Sequence, residues 1–134
     1  MFCKSKCPEQ IKLIDFGESL FHGDRDISDY CIGSAYYMAP ELITKDSHDK
    51  KIDMWSIGVM AYFILSGDIP FAGEDLNEIY VSIVKDDYEM PEEYWGKITP
   101  VGKSFVASLL NKDPEKRLSA EEAMNHPWIK DTNY

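Results

Sequence analysis

The stretch from Lys50 to Leu65 constrains this chain more than any other. At 3.6 residues per turn, Ile52, Trp55, Val59 and Phe63 fall on one face, while Ile57, Met60, Ile64 and Leu65 fill the rest. A helix apolar nearly all round has no side to offer to water, so the pattern predicts a helix buried in the middle of a domain. Its uncharged run, Met54 to Gly67, is well short of the roughly twenty residues a membrane span needs. Ser66-Gly67 ends it with a glycine suited to a left-handed C-cap. The chain can supply the surrounding core: at 134 residues one domain buries roughly two-thirds of its unfolded surface. A hydrophobic content of 44%, with 13% aromatic residues, argues against disorder.

The rest of the pattern is also largely helical. After the break at Ile69-Pro70-Phe71, a helix is predicted from Asp75, with Leu76, Ile79, Tyr80, Ile83 and Val84 on one face. Its other face carries Asn77, Glu78, Ser82 and Lys85, which places it on the surface. Thr99-Pro100 reads as an N-cap followed by proline at the first helical position. That helix continues through Val101, Phe105, Val106, Leu109 and Leu110 to Asn111. Ser119 and Glu122 form a capping box that opens a short helix through Met124, and Pro127 closes it. Residues 1–17 read as a β-hairpin, with one strand near Met1–Cys3 and another over Ile11–Ile14 ending at Asp15. Residues 18–38 show no sustained period, and a loop that long inside a compact domain is usually functional. The expected fold is mainly α with a short N-terminal hairpin.

Charge and cysteines narrow the setting. A net charge of −10 disfavours nucleic acid and anionic membrane, which call for a basic face, and suits basic peptides better. Three cysteines, Cys3, Cys7 and Cys31, suggest neither a disulfide framework nor a structural zinc site. The first ten residues are polar and lysine-bearing rather than a signal peptide. A soluble, cytoplasmic protein is the expectation.

The chemistry lies in a set of motifs. Asp15-Phe16-Gly17 ends the strand Ile11–Ile14, and Ala39-Pro40-Glu41 closes the long loop. Asp53-Met54-Trp55-Ser56-Ile57-Gly58 opens the central helix, and Arg117 follows much later. Together they resemble the second half of a protein kinase catalytic domain, from about Ile11 to Trp128. The resemblance implies the helical C-terminal lobe of that fold, with residues 18–38 as the activation segment. It implies ATP and Mg2+ as cofactors, and Asp15 as the catalytic carboxylate on the metal that bridges the phosphates. Taken alone, Asp15 reads as a residue that ends a strand in a turn. Phe16 would pack inward to set the active or inactive state, and Gly17 would allow the backbone to swing.

Gly33-Ser34-Ala35-Tyr36-Tyr37-Met38-Ala39-Pro40-Glu41 is similar to the loop that receives the substrate peptide. In that family a hydroxyl at the Ser34 position bonds the catalytic aspartate and a nearby lysine. Tyrosine kinases carry a proline at or near this point, which Ser34-Ala35-Tyr36-Tyr37 lacks, so the resemblance implies Ser/Thr acceptors. The family pairs the positions of Glu41 and Arg117 in a buried salt bridge, a structural role for which the guanidinium fork is suited. Asp53 resembles the aspartate whose carboxylate accepts backbone N–H groups of the catalytic loop; the helix dipole alone would also favour it there. His126-Pro127-Trp128 resembles the closing motif of the domain.

Several kinase motifs have no counterpart: the glycine-rich loop, the Val-Ala-Ile-Lys strand and the His-Arg-Asp catalytic loop. The expectation is a partial kinase domain over 1–134, lacking the N-terminal lobe and catalytic loop and inactive in isolation. Gly33–Glu41, Ser66–Phe71 and Asn111–Arg117 look most like the calcium/calmodulin-dependent group, especially the calcium-dependent protein kinases of plants and protists. No EF-hand loop is present, so a calcium-sensing module would lie elsewhere in the parent. Phe63 stands where several basophilic kinases have a glutamate, but Glu74, Asp75, Glu89, Glu92 and Glu93 could still attract basic protein substrates. Asp24, Asp26 and Asp29 give the activation segment a fixed negative charge that could stand in for a phosphate. The rival reading is a non-catalytic docking or scaffold module built on a kinase lower lobe.

Overall fold

The computed structural model describes residues 12–17, 19, 34–46 and 49–130. Among these it contains a one-turn 3-10 helix, Ala35–Tyr37, and seven α-helices. They are α1 (Pro40–Thr44), α2 (Lys51–Ser66), α3 (Leu76–Lys85), α4 (Glu92–Trp95), α5 (Pro100–Leu109), α6 (Ala120–Asn125) and α7 (Pro127–Lys130). No described helix is long and apolar enough to cross a membrane. Most of the expected hairpin lies outside the described residues, and Lys12–Phe16 forms no strand.

Local chemistry sets the ends of these helices. Gly67 adopts φ +79° and its N–H donates to the Phe63 carbonyl, closing α2 in the left-handed conformation that glycine adopts without strain. The Asp75 carboxylate accepts the Glu78 N–H at the start of α3, and the Thr99 hydroxyl accepts the Gly102 N–H at the start of α5. Both bonds of the Ser119/Glu122 capping box are present. Helix α5 ends at Leu109, two residues before the expected Asn111. Helix α6 ends at Asn125, before Pro127 as expected, and Pro127 is itself the first residue of α7. Helix α4 was not foreseen in the sequence.

The core is built on α2. Trp55, Val59 and Tyr62 join Phe71, Ile79, Ile83, Trp95, Val106 and Leu110 in the larger cluster. The Trp55 and Phe71 rings stack at 5.6 Å, and Tyr62 lies 4.8 Å from Trp95. A second cluster joins Met54, Phe105, Leu109 and Ala123, with Trp128 packed against it. At Gly58 the helices α2 and α5 come so close that a Cβ would lie 2.9 Å from both Leu109 Cβ and Leu110 Cδ2.

One expectation needs correcting: α2 is not buried all round. Ile57, Met60 and Phe63 are exposed, and Ile64 is 78% exposed. The buried positions, Met54, Trp55, Gly58, Val59 and Tyr62, form one side. Among the described elements, α5, the 3-10 turn and α4 make the most extensive contacts with α2, and the exposed positions lie on the opposite side of the helix.

Candidate active site

The loop at Ser34–Glu41 is assembled from the inside outward. Ala35, Met38, Ala39, Pro40 and Glu41 are buried, whereas Ser34 and Tyr37 face solvent and Tyr36 packs partly against the core. Ser34 is extended, at φ −71° and ψ 129°, and its carbonyl accepts the Tyr37 N–H at 3.0 Å. The Tyr37 carbonyl in turn accepts from the Ser56 hydroxyl of α2 at 2.8 Å. Pro40 then starts α1 at a position where its missing N–H removes no helical bond. Gly33 lies outside the described residues.

The base of this loop is held by an ion pair between residues 76 apart. Arg117 Nη1 donates to Glu41 Oε1 at 2.6 Å, and Nη2 donates to Glu41 Oε2 at 3.0 Å. Glu41 is 5% exposed and Arg117 is fully buried. The guanidinium also donates to the Lys51 carbonyl at 3.0 Å and, through Nε, to the Asn111 carbonyl at 2.9 Å. Its carbon sits 5.1 Å from the Trp55 ring centroid. A planar fork with donors on two edges can meet a carboxylate, two carbonyls and an indole face together, and an ammonium cannot. Lys51 adds a second tie, its Nζ donating to the Pro114 carbonyl at 2.8 Å.

The Asp15 segment is different in character. Asp15 has φ +67°, a left-handed conformation that aspartate tolerates better than most residues. Its carboxylate is exposed and bonds to none of the described residues. The Ser19 N–H donates to the Phe16 carbonyl at 3.0 Å, giving a turn. Phe16 does not pack inward; it is 66% exposed, and none of the described aromatic contacts involves it. At Gly17 a Cβ would meet only Asp15 Oδ1 at 3.6 Å, an ordinary contact, so sterics there do not demand glycine. Asp53 is exposed in the first turn of α2, and its carboxylate bonds to no described residue.

The structure therefore brings Glu41 and Arg117 together and seats Ala39 and Pro40 beneath Ser34. It shows no bond from Asp15 or Asp53 to that loop. Lys51, Asn111 and Ser56 are partners that sequence reasoning did not pick out. Ser56 and Asn111 fall within the quoted motifs but without these partners, and Asn111 and Lys51 meet Arg117 through backbone carbonyls that any residue would provide.

Comparison with known proteins settles the family. The protein kinase domain profile matches residues 2–129. The chain belongs to the protein kinase domain family. This kinase segment is 43% identical over 124 residues to myosin light chain kinase A of Dictyostelium discoideum, covering 92% of this chain and 42% of that protein. It is 40% identical over 121 residues to calcium-dependent protein kinase 17 of Arabidopsis thaliana, covering 90% and 23%. CDPK-related kinase 5 of the same plant is 40% identical over 134 residues, covering 99% and 22%. The chain spans less than half the length of these relatives. Its helices are those of the C-terminal lobe of the kinase fold.

One carboxylate, Asp15, is suited to magnesium, which takes one or two carboxylates and completes its shell with phosphate oxygens and water. No three His, Cys, Asp or Glu side chains among the described residues converge on a metal position.

Proposed function

We propose that this chain is the lower-lobe part of a serine/threonine protein kinase. In the complete enzyme the γ-phosphoryl of MgATP would leave the β-phosphate oxygen and bond to a substrate hydroxyl oxygen, whose proton passes to a base outside this chain. Asp15 would hold the magnesium, which supplies neutralisation of phosphate charge. The observation that carries this reading is a loop locked at its base by the buried Glu41–Arg117 pair, with the Ser34 hydroxyl exposed at its head. A rigid base with an exposed polar head is a suitable platform for receiving a peptide.

Charge points to the substrate class. Segment 68–94 holds nine carboxylates against one lysine, so it carries eight of the ten net negative charges. All nine carboxylates are exposed, which favours basic substrate peptides. Relatives named as calcium-dependent kinases support calcium regulation through a module elsewhere in the parent, and a cytoplasmic setting suits such an enzyme. A docking role without catalysis has one observation in its favour, the exposed apolar side of α2.

The deciding assay follows transfer from labelled ATP to serine, threonine and tyrosine peptides by the full-length protein. Transfer to serine or threonine that is lost in Asp15→Ala supports the kinase reading. Transfer to tyrosine alone overturns the acceptor assignment, and no transfer to any peptide favours docking. The isolated chain should transfer nothing above its own Asp15→Ala control.

A further inference from the structure

We infer that Ser56 is a positioning residue for the substrate-receiving loop, an inference that rests on the kinase reading above. Ser56 is a polar residue one turn into a helix otherwise dominated by apolar side chains. Serine is a poorer helix former than alanine, and inside a helix its hydroxyl usually bonds back to the carbonyl four residues earlier. Here that carbonyl, of Ile52, is 3.4 Å away, while the Tyr37 carbonyl is 2.8 Å away. One hydroxyl proton serves one of them well at a time, and the shorter bond takes it. The side chain therefore faces out of its own helix toward the loop.

What it grips matters more. The turn bonds at the head of the loop run from the Tyr37 N–H to Ser34 and from the Met38 N–H to Ala35. Neither uses the Tyr37 carbonyl, so the Ser56 hydroxyl ties the end of the turn to α2 from outside. Ala35, Met38 and Ala39 are held by burial, whereas Ser34 is exposed and Tyr37 keeps 36% of its surface open to solvent. Fixing the Tyr37 peptide fixes the direction in which that ring leaves the backbone and the height of Ser34 above α2. The far end of the tether is firm, because the α2 start is itself bound through the Lys51 carbonyl and Nζ. Ser56 touches neither the Asp15 segment nor any group assigned to nucleotide, so its effect should fall on peptide binding.

The test uses Ser56→Ala and Ser56→Thr in the full-length protein. One net hydrogen bond corresponds to about a five-fold change in an equilibrium. In Ser56→Ala the KM for a serine peptide should rise about five-fold, with the KM for ATP and kcat unchanged, and Ser56→Thr should restore it. Amide hydrogen exchange over residues 34–39 should quicken by a similar factor in Ser56→Ala, while residues 100–109 keep their rate. Unchanged exchange at 34–39 overturns the tether. Faster exchange with an unchanged peptide KM overturns the positioning role. An equal loss in Ser56→Thr, which keeps the hydroxyl, would assign the effect to packing and also overturn it. Should the protein transfer no phosphate at all, the kinase reading fails, and the exchange measurement still decides whether Ser56 anchors the loop.

Discussion

Replacing Arg117 by methionine tests the anchoring of the loop most directly. The substitution keeps much of the side-chain bulk and removes every donor. Glu41, 5% exposed, would then hold a buried charge without a partner, at a cost of about 3–5 kcal/mol. The Lys51 and Asn111 carbonyls would each lose a donor, worth about 1 kcal/mol apiece. The total of roughly 5 kcal/mol or more is a large share of the stability of a whole domain, so Arg117→Met should shift the urea midpoint far toward zero. Glu41→Leu combined with Arg117→Met removes both charges, and its loss should fall at least about 2 kcal/mol short of the sum of the two single losses. Arg117→Lys keeps the charge without the fork and should lie between. Urea titration followed by tryptophan fluorescence reads these three variants and Glu41→Leu alone, since Trp55 and Trp95 are fully buried. A loss under about 1 kcal/mol in Arg117→Met, or strict additivity in the double variant, would refute the reasoning.

Gly58→Ala sets two effects against each other. Alanine favours the helix by about 1 kcal/mol, but its Cβ would press on Leu109 and Leu110 at 2.9 Å, and overpacking costs about 1–3 kcal/mol. A net destabilisation in the urea midpoint is the expected outcome, and a stabilised variant would show that α5 yields freely. At the start of α6 the Glu122 carboxyl lies below its ordinary range, chiefly because the Ser119 N–H donates to it and then through the Ser119 hydroxyl. A carboxyl lowered on folding stabilises the fold above its unfolded value of about 4.3. That contribution is lost as the pH falls through the folded value. The stability gap between the native chain and Glu122→Gln should therefore shrink from pH 7 to pH 3.5, and a constant gap would exclude the carboxylate as its source.

How much of this was readable beforehand depends on whether the signal is local. Helix α2, the Thr99-Pro100 start and the Ser119/Glu122 box were legible because periodicity and capping act within a few residues. The Glu41–Arg117 contact could be named only through the family resemblance, because nothing near either residue points to the other. Helix α4 escaped because Glu92–Trp95 is too short to show a period between Pro91 and Gly96. Pro127 marks the end of α6, as the sequence indicates, but that it also starts a further short helix has no periodic signal over Pro127–Lys130. The apolar side of α2 at Ile57, Met60 and Ile64 shows a different limit: hydrophobicity states a preference for burial without saying what does the covering. Ser56 was invisible as a tether, since its acceptor is a backbone carbonyl that any residue at position 37 would provide.

The fourfold grip of Arg117 also bears on the order in which the molecule assembles. A guanidinium cannot leave water cheaply until a carboxylate is there to meet it, and its partners come from α1, the first turn of α2, the loop at Asn111 and the Trp55 ring. Those pieces must be nearly in place before the arginine enters, so it is among the last groups to settle on the way to the native state. An interaction formed after the rate-limiting barrier leaves the folding rate almost untouched and acts on the reverse step. Loosening the clamp would therefore shorten the lifetime of the folded molecule without slowing its formation.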